Sequence, residues 1–151
     1  MRTFESIEEL AACQGEPIGQ SEWVTITQEA VNLFADATGD HQWIHVDPER
    51  AADGPFGTTI AHGYLTLAML PRLMAQISRL EGVKLAINYG LNKVRFPAPV
   101  PVGSKIRAET SVVEVTDVGG GAQQVTYSTT VSIDGSAKPA CVAESVVRYL
   151  F

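Results

Sequence analysis

The chain lacks a long apolar run: no segment approaches the ~20 uninterrupted apolar residues of a membrane helix. Its start, Met1-Arg2-Thr3-Phe4-Glu5-Ser6-Ile7-Glu8-Glu9-Leu10, has no signal-peptide core, so a cytoplasmic protein is expected. Cysteine is scarce. Cys13 and Cys141 match no metal motif and are expected as free thiols in a reducing compartment. The three histidines have no second acid at ligand spacing, which predicts no metal site. Positive charge is also in short supply. A net charge of −6 argues against nucleic acid or an anionic membrane as partner. No serine or cysteine has a paired base nearby, so a covalent acyl intermediate is not expected. Internal repeats and low-complexity stretches are missing too.

What remains is an ordinary globular composition, 45% hydrophobic and 19% charged over 151 residues. That length predicts one domain, residues 1–151, burying about two thirds of its unfolded surface. The charge is unevenly spread. Residues 1–53 carry eleven acids against Arg2 and Arg50, whereas 82–108 carry Lys84, Lys93, Arg95, Lys105 and Arg107 and no acid. The basic window is either a solvated strand face or a landing surface for a phosphate-bearing ligand.

The chain is organised around Thr38-Gly39-Asp40-His41-Gln42-Trp43-Ile44-His45-Val46-Asp47-Pro48. Thr27 can N-cap a helix over 28–38, with Ala30, Val31, Phe34 and Ala37 on one face and Gly39 as its C′ residue. Asp47-Pro48-Glu49 starts another helix, Asp as cap and Pro in the first turn. On one continuous helix Asp40 and His45 would point roughly 140° apart. The punctuation instead puts them on a short irregular or extended segment between two anchors. A carboxylate and an imidazole held there can converge on one water, acting as acid and base.

Other elements follow from periodicity. A short helix is expected around Ile7–Cys13, a loop at Gly15-Glu16-Pro17, and a strand at Glu22–Ile26. Residues 60–80 read as one helix, apolar nearly all round and hence buried, with Gly63 in its first turn and a kink or break at Pro71. Strands are expected at Val83–Phe96, with Gly90 a bulge or bend, and at Lys105–Thr116, Gln123–Ile133 and Ala140–Leu150. The connections after the helix are too short for parallel crossovers. The expected class is therefore α+β: an antiparallel sheet, a meander of four strands, wrapped around a long central helix, the hot-dog fold. Its exposed, Val-rich strand edges predict a homodimer with one continuous sheet.

Phe34-Ala35-Asp36-Ala37-Thr38-Gly39-Asp40-His41-Gln42-Trp43-Ile44-His45 resembles the MaoC-like, (R)-specific enoyl-CoA hydratases. Gly39, Asp40, Ile44, His45 and Ala51 fit that family's motif, while Gln42-Trp43 stands where Asn-Pro is usual. Ala61-His62-Gly63-Tyr64 and the stretches Asn88-Tyr89-Gly90 and Arg95-Phe96-Pro97 extend the likeness over roughly residues 20–150. The resemblance implies addition of water to a trans-2-enoyl thioester, or the reverse dehydration of an (R)-3-hydroxyacyl thioester. It implies Asp40 and His45 as the catalytic pair, and His62, Gly63, Asn88 and Tyr89 as substrate-binding residues. The Gly63 N–H would face the thioester oxygen. His62 reads either as an orienter of its loop or as a base. Asn88 and Tyr89 read either as substrate contacts or as cross-strand partners. The substrate carrier is coenzyme A or acyl carrier protein, and no separate cofactor is implied. A hot-dog thioesterase and a non-catalytic acyl-CoA-binding subunit are the competing functions. The presence of both Asp40 and His45 argues against the latter.

Overall fold

A computed structural model describes all 151 residues. Three strands make consecutive hairpins: β6 (Lys105–Asp117), β7 (Ala122–Ile133) and β8 (Cys141–Leu150). The β6–β7 turn uses Gly119, Gly120 and Gly121, all at positive φ, and the Asp117 carboxylate accepts the Gly119 N–H at 2.7 Å. Alternation then decides the faces. Ile106, Val112, Val125 and Val131 point inward and are fully buried.

The remaining strands close the sheet in the order β2 (Pro17–Gln20), β6, β7, β8, β5 (Leu85–Arg95), with β3 (Val24–Thr25) also on β6. The strands thus occur close to where periodicity puts them, apart from β2, which begins at Pro17 where a loop was expected. The meander does not extend to four. β5 pairs with β8 rather than with β6, so the Pro97–Gly103 connection carries the chain from the β5 edge past β8 and β7 to β6, whose outer side pairs with β2 and β3. A second, unanticipated pair joins β1 (Arg2–Phe4) in parallel to β4 (Ser78–Leu80). These strands are too short to show a period.

Five of the six helices precede Pro71: α1 (Ile7–Ala11), α2 (Gln28–Thr38), α3 (Trp43–Val46), α4 (Pro48–Ala52) and α5 (Gly63–Ala68). α6 (Leu70–Ile77) follows. The helix expected over 60–80 with a kink or break at Pro71 is interrupted at Met69, two residues before the proline, and spans only Gly63 to Ile77 as the pair α5 and α6. Pro71 lies in the first turn of α6, where its missing N–H has no helical partner to lose. Ile60–His62 is extended, and the chain past Ile77 is strand β4. Nor is the helical layer buried all round. Leu65, Leu70, Leu73 and Ile77 pack on the sheet, while Tyr64, Ala68, Pro71 and Arg72 stay exposed. On α2 the buried positions are Val31 and Ala35, with Phe34 half-buried and Ala37 in solvent rather than on the packed face.

β5 is the outlier. Every residue on it except Val94 is exposed, including Leu85, Ile87, Tyr89 and Leu91, and its second edge is unpaired. Elsewhere one cluster of 23 buried residues forms the core. No helix is long and apolar enough to cross a membrane.

Candidate active site

The segment between α2 and α4 is anchored as its punctuation predicts. Thr27 caps α2 by accepting the Ala30 N–H, Gly39 ends it at φ 79°, and Asp47 caps α4 by accepting the Arg50 N–H at 3.1 Å. What lies between is not extended. It contains α3, a single helical turn in which the His45 N–H reaches the Gln42 carbonyl at 2.9 Å. Asp40 precedes that turn and His45 rides on it, so the two side chains project from differently directed backbone.

His45 is 6% exposed, and its Nδ1 lies 2.7 Å from the Ile60 carbonyl oxygen. A carbonyl can only accept, so Nδ1 carries the proton and Nε2 keeps a lone pair. His62 is 2% exposed and stacks on His45 with ring centroids 3.8 Å apart and planes 23° off parallel. Its Nε2–H donates to the Asp40 carbonyl at 2.9 Å, leaving Nδ1 buried without a partner. Phe34 also tilts against the His62 ring, centroids 4.9 Å apart. The Asp40 carboxylate stays half exposed, 4.0 Å from His62 Nε2. Burial lowers the His45 pKa below the ordinary histidine value. The Ile60 hydrogen bond raises it, the neighbouring His62 lowers it, and the Asp40 charge raises it.

Asp40, His45 and His62 therefore meet, with nitrogen and oxygen atoms within 4.8 Å of one another. That spacing alone would allow a metal. The donor geometry does not favour one, because nearly parallel stacked imidazoles direct their in-plane lone pairs side by side rather than at one ion ~2 Å away. One nitrogen of each ring is also committed as a donor to a carbonyl.

Gly63 joins them from the start of α5, where the first N–H has no helical partner. Any side chain there would be crowded. A Cβ would lie 3.0 Å from the Phe96 ring, which is pressed against the backbone. Asn88 sits farther along, on the wall of a cavity of about 380 Å³ between α5–α6 and the β5–β8 pair. Leu67, Leu70, Met74, Leu91 and Val147 supply most of its apolar lining. Tyr89 is not with the others. The register of β5 shifts between Asn88 and Gly90, and the Tyr89 ring lies under the Arg148 guanidinium, 3.4 Å from its centroid. Asn88 and Gly90, on either side of Tyr89, both line the cavity, whereas neither Tyr89 nor Arg148 does. The bulge anticipated at Gly90 thus falls one residue earlier and takes Tyr89 off the site.

Trp43 packs against Gly54 under the Arg50 guanidinium and does not line the cavity beside Asn88. His41 pairs with Asp36 at 2.8 Å on the surface, which raises its pKa. The basic window splits, because β5 and β6 are separated by β7 and β8: Lys93 and Arg95 lie at one edge, Lys105 and Arg107 near the other. Sequence reasoning missed the Ile60 carbonyl and its surroundings, since a backbone acceptor leaves no mark on residue type.

Residues 9–134 match the family described as MaoC like domain. The chain belongs to the MaoC-like dehydratase family. It is 75% identical over 150 residues, 99% of each chain, to the 3-hydroxyacyl-thioester dehydratase Z of Mycobacterium tuberculosis. Nodulation protein N of Rhizobium leguminosarum bv. viciae is 42% identical over 97% of this chain and 92% of its own. Among solved structures, an (R)-hydratase from A. caviae superposes with a TM-score of 0.69 at 28% identity, over 89% of this chain and 97% of that one. These MaoC-like relatives carry the expected hot-dog fold.

Proposed function

We propose that this MaoC-like chain is an (R)-specific enoyl-thioester hydratase, running equally as a 3-hydroxyacyl-thioester dehydratase in cytoplasmic fatty acid metabolism. The observation that carries the reading is His45: a buried, neutral imidazole whose Nδ1–H is tied to a carbonyl, leaving Nε2 as a base beside the Asp40 carboxylate. A water held by both would lose a proton to Nε2 as its oxygen adds to the β-carbon. That same proton returns, by way of Asp40, to the α-carbon. The thioester oxygen gains negative charge between these events, and the Gly63 N–H is the donor that would meet it. The cavity beside Asn88 and Met74 would take the acyl chain. No cofactor is consumed, since water supplies both fragments that add.

Two finer points belong with this reading. The unpaired, apolar β5 edge would be covered by the same strand of a second copy, giving a homodimer with a continuous sheet. The carrier is coenzyme A or acyl carrier protein. Loss of the enoyl thioester's ultraviolet absorbance with crotonyl-CoA, and (R)-3-hydroxybutyryl-CoA as product, is the expected result. Release of free coenzyme A thiol without hydration would make the chain a thioesterase instead.

A further inference from the structure

The one-turn helix α3 cannot hold itself. Helices this short are unstable alone, and its Gln42 cap makes no side-chain bond. Its last carbonyls must find partners outside it. The His45 carbonyl finds Gln28: Nε2 of Gln28, in the first turn of α2, donates to it at 2.7 Å. The orientation of that amide is chemically determined. Carbonyl oxygens only accept, so the NH₂ faces His45, and its second hydrogen goes to Asn32 Oδ1 at 2.9 Å. Gln28 Oε1 is left for the Thr59 hydroxyl, which donates at 2.5 Å and is 2% exposed.

Thr59 is bonded to Ile60 by the chain itself, and Ile60 grips α3 twice. Its N–H donates to the Ile44 carbonyl at 2.9 Å, and its carbonyl accepts the His45 Nδ1–H. The path His45, Gln28, Thr59, Ile60 and back to His45 is a closed circuit. Its far side is fixed to the Pro97–Gly103 connection: the Val102 N–H donates to the Thr59 carbonyl and the Ala61 N–H to the Val100 carbonyl, both at 2.8 Å.

We infer that Gln28 and Thr59 are positioning residues for His45, holding its backbone so that the imidazole keeps Nδ1 on Ile60 and presents Nε2 to the reacting water. Neither touches that water, and both act through the circuit. The inference rests on His45 being the base of the proposed reaction. The titratable groups facing the ring are His62, across the stack, and Asp40. α2 and the segment around Ile60 contact His45 only through neutral groups. Opening the circuit would let α3 fray and water reach the ring, relaxing the burial that lowers its pKa.

Thr59→Val keeps the shape and removes the donor. Its kcat for crotonyl-CoA should fall about ten- to a hundredfold, the scale of a small misplacement of a reacting group. KM should stay within about twofold, since substrate binding is not the lost interaction. Nitrogen NMR of the histidines should show a mixture of His45 tautomers and a pKa moved up towards ~6.5. Thr59→Ser, which retains the hydroxyl, should behave as wild type in all three. Gln28→Met breaks the circuit at its other member and should reproduce the loss, which serves if Thr59→Val folds poorly. An unchanged His45 spectrum in both broken variants, or Thr59→Ser as impaired as Thr59→Val, would overturn the assignment. A wild-type protein without hydratase activity would instead defeat the proposed function, and the spectra would still decide whether the circuit holds His45.

Discussion

Two regions carry the residues that resemble the hydratase family, and they are built in opposite ways. The segment from Asp40 to Gly63 is a knot of local hydrogen bonds in which both imidazoles are buried and each donates to a named carbonyl. β5 is a bare strand, exposed on both faces and paired along one edge only. The cluster of Asp40, His45 and His62 is assembled within one chain, whereas β5 leaves an edge and two faces uncovered. Catalysis and assembly should therefore be separable by substitution.

The largest effects are expected in the first region. Asp40→Asn and His45→Gln should each lower kcat at least ~100-fold, the scale of general acid–base catalysis, with circular dichroism unchanged. Either variant keeping more than a third of wild-type activity would remove that residue from the reaction. Gly63→Ala should be next. Its methyl would have to push aside the Phe96 ring, an overpacking that costs about 1–3 kcal/mol and moves the N–H. Adding Phe96→Ala should recover part of the kcat, and a double variant no better than Gly63→Ala would show that the ring is not the obstacle.

β5 should respond differently. Leu85→Lys with Ile87→Lys, both exposed and outside the cavity lining, should convert a dimer to a monomer near 16.2 kDa by light scattering, with a smaller fall in activity than Asp40→Asn or His45→Gln gives. A wild-type monomer at micromolar concentration would end the argument for a shared sheet. The smallest effect separates the two halves of the basic window. Charge reversal at Lys93 and Arg95, on the strand that walls the cavity, should raise KM for an acyl-CoA several-fold at low salt and less at high salt, where exposed charges are screened over ~3–10 Å. The same change at Lys105 and Arg107, at the far edge, should leave KM alone. Equal effects from both pairs would restore a single landing surface.

How far the chain could be read depended on the range of the forces involved. Thr27, Gly39, Asp47 and Pro48 mark helix ends because capping is decided within one turn, and each stands where the structure uses it. Strands β6, β7 and β8 are legible because each presents its apolar positions to one core. The one-turn helix under His45 was not legible, since its stability comes from Gln28 and Ile60, both more than a dozen residues away in the chain.

By itself, then, the sequence determined the α+β class and the anchors of the Asp40–His45 segment. Both follow from capping and hydrophobic period. Only the tertiary structure decided that β5 crosses to the far side of β8, that Tyr89 leaves the site at a bulge, and that His62 stacks on His45. The physical reason is common to the three. Strand order, register shift and ring stacking are set by contacts between segments distant in the chain, and several residue patterns satisfy them equally well.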